Sequence, residues 1–458
     1  MHTTYKIFTV LMAAIMALIA VRWIYFRILS IAKQKNVVDN PNARKLQKQP
    51  VPIMGGIAVF FGILTGLLVG TSIYALPFLL AHEPVDLPSS SLLSVLAAMG
   101  IMLYMGAIDD LIGLSAVKRL LIEMGVVLGL IMSSGGCIDT FRGMWGIGAL
   151  SWWIAVPLTI FAGVGIINAI NMIDGVNGLS SGICMTCSIL FGVAFIRIMD
   201  WGNAVLAFSM AAALMPFFIH NVFGSKSRMF IGDAGTMVMG ILMTWFTIST
   251  LRAPAMTEYY TPVVRTNMVA MCLAILSVPV FDTLRAPAMT EYYTPVVRTN
   301  MVAMCLAILS VPVFDTLRVM IMRMLKGCSP FKADMTHLHH AFIQIGVSHS
   351  ITALIEILID GVIVGIWGVC VLLRVSLDWQ LYIVLMAALL MVWGTYFFLH
   401  YHTVHETALW QRMTLLSRKT HLGHTAWWLR FQAFLDSPEV IDPDDEGHHR
   451  YENNHEND

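Results

Sequence analysis

Residues 151–198 read SWWIAVPLTIFAGVGIINAINMIDGVNGLSSGICMTCSILFGVAFIRI and contain two apolar runs separated by one polar cluster. Each run, 151–169 and 180–198, has about the length that an α-helix needs to cross a bilayer. The amides and the carboxylate between them are expensive near hydrocarbon and are rarely kept there without a function. This stretch therefore predicts two membrane helices that meet at a polar site on one membrane surface.

The rest of the chain has the same character as far as residue 401. Of its 458 residues, 57% are hydrophobic and 12% are charged, whereas soluble domains carry roughly 25% charged residues. We expect an all-α polytopic membrane protein with about 11 transmembrane helices in residues 1–401. Residues 402–458 form a polar cytoplasmic tail in this interpretation, and we expect it to be partly disordered.

The distribution of basic residues predicts which side of the membrane each loop occupies. Loop 30–51 contains five Lys and Arg residues, and loop 81–91 contains none. Basic loops stay in the cytoplasm, so counting onward places the polar motifs on the cytoplasmic face of the membrane. The formal net charge is zero, which gives no reason to expect a nucleic acid as partner.

One segment of the chain is duplicated without a single change. Residues 251–283 recur at 284–316, and each copy contains one apolar run. A single added crossing would reverse the side of everything downstream and move the basic loop that follows to the wrong face. We therefore predict that only one copy occupies the native helix position, and that it is the second, which contains Asp315.

Two carboxylates are adjacent in GAIDDLIG. Neighbouring side chains on a helix point about 100° apart, so Asp109 and Asp110 face one ligand only at a helix end or in a loop. Their repulsion favours a bound cation, or raises the pKa of one of them into the range of a base. A solvated loop is the alternative, but Lys118 and Arg119 follow closely and favour an anionic substrate.

Polar residues are densest in NAINMIDGVNGL. Asn168, Asn171 and Asp174 lie near one face if this segment is helical, and their oxygens are of the kind that Mg²⁺ binds together with phosphate. Contacts between membrane helices are the alternative. Further on, Asp233 in MFIGDAG stands just before an apolar helix, where an N-terminus offers N–H groups to phosphate or Asp serves as a simple N-cap.

A histidine cluster, THLHHAF, lies in a basic loop. A zinc site would need a supporting Cys or acidic ligand at a suitable spacing, and the sequence has none. His337, His339 and His340 therefore suit phosphate binding better.

These motifs, in this order on a polytopic scaffold, resemble the polyprenyl-phosphate N-acetylhexosamine-1-phosphate transferase family over roughly residues 1–400. The resemblance implies that Asn171 and Asp233 bind Mg²⁺, with Mn²⁺ as the alternative ion, and that Asp109 or Asp110 orients or deprotonates the lipid phosphate. It also implies substrate contacts at Lys45, Lys118, Asn168, Asp174, Asn177, His337, His339 and His340.

The implied reaction transfers N-acetylhexosamine 1-phosphate, with N-acetylglucosamine as the default sugar, from a UDP-sugar to undecaprenyl phosphate. The expected partners are these two substrates and the lipid bilayer, and a homodimer is left open. Two other functions remain as alternatives: a secondary transporter, whose broken helices carry polar residues at mid-membrane, and a membrane protein inactivated by the duplication.

Overall fold

The computed structural model describes residues 3–39, 50–82, 89–139, 141, 145, 147, 149–252, 300–330, 335–419 and 425–437. Three segments with sequence-based predictions lie outside these residues: the basic loop with Lys45, the first copy of the duplication from residue 253 onward, and the tail from residue 438. The predictions for those segments stay predictions.

Helices make up nearly all of the described chain. The first half contains α1 (Thr3–Gln34), α2 (Gly55–Leu80), α3 (Ser89–Ile112), α4 (Ala116–Ser134), α5 (Trp152–Met172), α6 (Leu179–Arg197), α7 (Trp201–Phe223) and α8 (Gly232–Arg252). The second half contains α9 (Met301–Ile308), α10 (Ser310–Leu325), α11 (Leu338–Gln344), α12 (His349–Leu372), α13 (Leu377–Ala388), a π-helical turn (Leu389–Gly394), α14 (Thr395–Val404), α15 (Ala408–Lys419) and α16 (Ala426–Leu435). Strands β1 (Val38–Asp39) and β2 (Val51–Pro52) pair antiparallel, a small addition to the expected all-α architecture.

The helices have the length and composition of membrane spans. Within the described residues, nine are long and apolar enough to cross a bilayer, or ten if the bent pair α9–α10 counts as one span. The polytopic all-α prediction is confirmed, whereas the expected number of about 11 is not reached in this part of the chain. Helix α4 is not among these candidate spans because it contains three charged residues, Lys118, Arg119 and Glu123.

The helices separate into a lipid-facing shell and an enclosed centre. Large apolar side chains point outward, among them Trp153 at 81% and Phe161 at 79% exposure, which suits contact with hydrocarbon rather than water. Helix α8 is enclosed on all sides, since its apolar window is 100% buried. The first turn of α8, which contains Asp233, is therefore fixed by packing.

Glycines let two helices approach the beginning of α8. A Cβ at Gly106 of α3 would lie 2.5 Å from backbone atoms of Ala234, and one at Gly56 of α2 would lie 2.2 Å from the backbone nitrogen of Gly235. Real Cβ atoms do not come that close, so only glycine permits these contacts. They bring the end of α3, with its two aspartates, against the start of α8.

The second copy of the duplication forms α9 and the start of α10, but not as one straight helix. The axis bends by 78° between the two helices. The break leaves N-terminal N–H groups without partners in the helix, and Asp360 of α12 accepts hydrogen bonds there from the Ser310 hydroxyl (2.8 Å) and the Val311 N–H (3.2 Å). The predicted apolar run is thus a broken span that leads directly into the histidine segment.

Helix α16 is held against the loop between α7 and α8. Asp436, at its C-terminal end, accepts hydrogen bonds from the backbone N–H of Ser225 (3.0 Å) and from the N–H and hydroxyl of Ser227 (2.9 and 2.7 Å). Partial burial alone would raise the pKa of Asp436, but hydrogen bonds from Ser227, Lys226 and Ser225 outweigh it and lower the pKa below its ordinary value.

The attachment of α16 is expected to depend on pH. Because the pKa of Asp436 is lower in the folded chain than in an unfolded one, its contribution is complete above the unfolded value of about 3.9 and is lost as pH falls through the folded value. The protection of α16 amides from hydrogen exchange, corrected for the intrinsic rate at each pH, should therefore fall below about pH 4. In Asp436→Asn these amides should already be less protected from exchange at neutral pH, and acid should lower their protection little further. An unchanged acid response in that variant would show that other groups control the attachment.

Candidate functional site

Four helix ends converge to form a polar site. Asp109 and Asp110 lie in the last turn of α3, Arg119 in the first turn of α4, Asn171 in the last turn of α5, and Asp233 in the first turn of α8. The histidine segment approaches the same place, because a Cβ at Gly175 would lie 2.5 Å from Nε2 of His339. The four motifs, far apart in sequence, thus form one cluster.

Arg119 is at the centre of this cluster. Its guanidinium donates to Asp109 Oδ2 at 2.9 Å and to Asn171 Oδ1 at 3.2 Å. It also lies 3.7 Å from Glu123 Oε1 and 3.8 Å from Asp233 Oδ2. One cation therefore compensates three carboxylates, which repel one another.

The family resemblance predicts substrate binding at Lys118, the neighbour of Arg119. The structure leaves Lys118 exposed at the beginning of α4, and Arg119 makes the contacts with the cluster. Helical geometry explains the difference, since adjacent side chains point about 100° apart and only one of them can face the cluster.

Asn171 and Asp233 are brought together as predicted. The Asn171 amide donates to Asp233 Oδ1 at 2.7 Å and to the Thr236 hydroxyl at 2.8 Å. The side-chain oxygen of Asn171 faces Arg119, and the Asp233 side chain is 34% exposed. Both residues can therefore still contact a ligand. Hard oxygen donors of this kind suit Mg²⁺.

A metal ion bound here would take only part of its coordination shell from the protein. Among the described residues, no three His, Cys, Asp or Glu side chains are grouped so that they could hold an ion by themselves. Mg²⁺ is commonly bound by one or two carboxylates, with substrate phosphates and water completing the octahedron. Asp233 with Asn171 fits that type of site.

The two adjacent aspartates have different roles. Asp109 accepts from Arg119 and from the Leu114 N–H at 2.6 Å. Asp110 instead accepts from the N–H groups of Asp233 (2.8 Å) and Ala234 (3.1 Å), and so caps the N-terminus of α8. The prediction offered either aspartate as the group that acts on lipid phosphate. Both oxygens of each aspartate are engaged, but Asp109 shares the Arg119 side chain whereas Asp110 is held only by the backbone of α8, so we favour Asp109 for that role.

Removing the charge of Asp110 should therefore affect stability more than the same change at Asp109. Asp110→Asn keeps the shape but cannot accept from both N–H groups, and loss of such a cap costs about 1 kcal/mol of the free energy of unfolding. Thermal unfolding in detergent should show a lower midpoint for Asp110→Asn than for Asp109→Asn. The reverse order would contradict the capping role.

Asn168 has an internal partner. Its amide donates to the Glu123 carboxylate at 2.5 Å and to the Val164 carbonyl at 2.9 Å, and Glu123 is fully buried. The structure thus gives Asn168 a supporting contact below the cluster rather than the substrate contact expected from the sequence. Glu123 is not among the site residues predicted from the sequence, although a lone acid in an apolar helix is itself a signal of function.

The loop after α5 carries the next two candidate residues. Asp174 accepts from the Ser180 hydroxyl and keeps an exposed side chain. The Asn177 N–H lies 3.4 Å from Nδ1 of His349, and the next N–H, of Gly178, donates to Asn221 at 2.7 Å. The loop is thus fixed by its backbone while Asp174 stays open to a ligand.

The histidine segment is fixed by a buried pair that the sequence analysis did not assign to the site. Asp315 pairs with Nδ1 of His337 at 2.8 Å and accepts from Arg318 at 2.6 Å. Arg318 also donates to the Thr336 carbonyl at 2.6 Å. The sequence did contain a sign of this pair, because PVFDTLR places an Asp and an Arg next to an apolar run, where charged groups are costly.

The other two histidines lie further along the segment. The rings of His339 and His340 are 4.3 Å apart. Burial, together with the charges of His340 and His337, lowers the pKa of His339 well below its ordinary value, so His339 is neutral near pH 7. It therefore offers a phosphate no positive charge.

Comparison with known proteins agrees with this arrangement. The profile of "Glycosyl transferase family 4" matches residues 92–251. The chain is 26% identical over 325 residues, 69% of this chain and 71% of the relative, to the undecaprenyl-phosphate alpha-N-acetylglucosaminyl 1-phosphate transferase of Escherichia coli K12.

Two other relatives share more of the chain. A probable undecaprenyl-phosphate N-acetylglucosaminyl 1-phosphate transferase of Bacillus subtilis is 28% identical over 77% of this chain and 83% of its own length. The decaprenyl-phosphate N-acetylglucosaminephosphotransferase of Mycolicibacterium smegmatis is 27% identical over 77% and 79%. With the motifs gathered at the helix ends, these matches show that the chain is similar to polyprenyl-phosphate N-acetylglucosamine-1-phosphate transferases over more than two thirds of its length.

Proposed function

We propose that the chain transfers N-acetylglucosamine 1-phosphate from UDP-N-acetylglucosamine to a polyprenyl phosphate at the cytoplasmic face of a bacterial inner membrane. The observation that carries the proposal is the cluster of Arg119, Asp109, Asn171 and Asp233 at the ends of membrane helices. The relatives named above act on polyprenyl phosphates according to their names, and a site at the membrane surface suits a lipid and a water-soluble substrate together.

In this reaction an oxygen of the lipid phosphate attacks the β-phosphorus of the UDP-sugar. The bond from that phosphorus to the bridging oxygen breaks, and UMP leaves with the electron pair. Catalysis of such a transfer is mostly positioning and charge stabilisation. Asp109, held by Arg119, would orient the lipid phosphate, and the Arg119 guanidinium would face the transferred phosphoryl group.

Asp233 and Asn171 would hold Mg²⁺ or Mn²⁺. When bound, the ion neutralises charge on the diphosphate and on the departing UMP. Asp174, open on the loop beside the cluster, would contact the nucleotide. His339, neutral and set against that same loop, would donate a hydrogen bond to a phosphate oxygen.

The transporter alternative is not supported. Its substrate site would lie at mid-membrane, whereas the clustered residues of this chain lie within the first or last turn of their helices. The part of the second copy that the structure describes packs as α9 and the start of α10 and leads toward the histidine segment beside Gly175, which supports an intact site.

Release of UMP tests the proposal. The purified chain in lipid nanodiscs should form UMP from UDP-N-acetylglucosamine only when polyprenyl phosphate and Mg²⁺ are both present. UDP-glucose serves as the control donor. A chain lacking residues 284–316 is the matched control for the duplication. Absence of UMP from the folded full chain with every UDP-N-acetylhexosamine, while the shortened chain is active, would favour inactivation by duplication. Absence from both would refute the function.

A further inference from the structure

The C-terminal helix α16 has an inner and an outer face. Trp428, Phe431 and Leu435 recur at the spacing of one helix face. The rings of Trp428 and Phe431 lie 4.6 and 5.2 Å from that of Phe223, the last residue of α7. This inner face attaches α16 to the end of a membrane helix.

The outer face is apolar yet open. Trp427 is 64%, Leu429 51% and Phe434 62% exposed, and Arg430 is exposed between them. A surface helix of a protein in water carries polar residues on its outer face. Apolar side chains with Trp and a basic residue are instead typical of helices that lie in a membrane interface.

The position of α16 agrees with this composition. Its inner face contacts the final residue of α7, and Asp436 holds the loop that follows α7. Lys33, at the end of α1, donates to the Lys226 carbonyl in that same loop at 2.8 Å. Helix α16 thus lies level with the ends of two membrane helices, where the headgroups of the bilayer begin.

We propose that α16 is an interfacial helix whose outer face inserts into the phospholipid headgroup layer of the membrane that holds α1 and α7. Trp427 and Phe434 lie at the boundary with the acyl chains, and Arg430 extends toward the phosphates. The occupant follows from continuity, since the lipid-facing side of α1, with Trp23 at 68% and Ile31 at 51% exposure, ends beside the loop that α16 holds.

This contact has a consequence for the site. Asp436 joins α16 to the loop 224–231, and Phe230 of that loop is bridged to Ile53 beside the short hairpin. The loop leads directly into Gly232 and Asp233. Helix α16 therefore fixes the height of the metal-binding segment relative to the headgroups, where the lipid phosphate lies.

Accessibility of spin labels tests the proposal without reference to catalysis. In a cysteine-free background, Ala433→Cys places a label on the outer face with little change in side-chain size. Leu68→Cys, exposed on the membrane helix α2, is the bilayer control, and Glu406→Cys, in an exposed turn, is the water control. Oxygen partitions into lipid and a nickel chelate stays in water, so the ratio of their collision rates reports depth.

In nanodiscs that hold one copy of the chain, the ratio at position 433 should exceed that at 406 by about threefold or more and stay below that at 68, as for an interfacial helix. A label at Phe434→Cys should give a similar ratio of collision rates. A ratio at 433 equal to that at 406 overturns the proposal. A ratio that rises only in discs with two copies assigns the face to a second copy of the chain and overturns it as well.

Discussion

Replacing Asp233 with alanine is expected to lower the rate of UMP release about 100- to 1,000-fold while the chain stays folded in the membrane. The Asp233 carboxylate is partly open and lies beside Asn171 and Arg119. Its backbone N–H, which holds α8 against Asp110, is unchanged by the substitution. The loss should therefore fall on metal and phosphate rather than on folding.

Asp200 provides a matched control for this substitution. It caps α7 by accepting from the Asn203 N–H at 3.1 Å and is not part of the cluster. Asp200→Ala should cost about 1 kcal/mol of stability and little activity. Binding of Mn²⁺, followed by electron paramagnetic resonance, should weaken in Asp233→Ala and not in Asp200→Ala. An Asp233→Ala enzyme that keeps more than about a tenth of the rate at saturating Mg²⁺ would falsify the ligand assignment.

Arg119→Ala should have the second largest effect, a fall of about 100-fold or more. Without the guanidinium, Asp109, Glu123 and Asp233 lose the cation that compensates them, which is most costly for the two enclosed carboxylates, Asp109 and Glu123. Arg119→Lys should recover only part of the rate, because a single ammonium cannot reach Asp109 and Asn171 in the same geometry.

Lys118→Ala separates the structural interpretation from the prediction made from sequence. It removes the same charge one residue away, at an exposed position, and should cost less than tenfold, an effect typical of rim charges. Steady-state rates with both substrates varied would compare the two variants. Equal losses at positions 118 and 119 would mean that overall positive charge matters, not the contacts of Arg119.

The sequence by itself determined the class of the protein and the residues of interest. The span-length apolar runs indicate a membrane protein, and such runs form helices because the backbone has no water to bond in hydrocarbon. Polar groups at the ends of those runs are costly there, so Asp109, Asn171, Asp233 and the histidines could be found without coordinates. The same reasoning should have found Glu123 and Asp315.

Only the tertiary structure shows which of two similar neighbours contacts the cluster. Sequence could not separate Asp109 from Asp110, or Lys118 from Arg119, because each pair is chemically alike. The difference arises from the close approach of α3 to α8 at Gly106, which turns one aspartate toward backbone N–H groups and leaves the other beside the arginine.

The attachment of the histidine segment and of α16 also needed the fold. Asp315 meets His337 across 22 residues, and Asp436 meets Ser227 across 209. No local pattern marks such pairs, since their distances are set by how whole helices pack rather than by spacing along the chain. The sequence identifies the polar side chains whose position near hydrocarbon is too costly without a function. Only the packing of the helices determines which of these side chains come into contact.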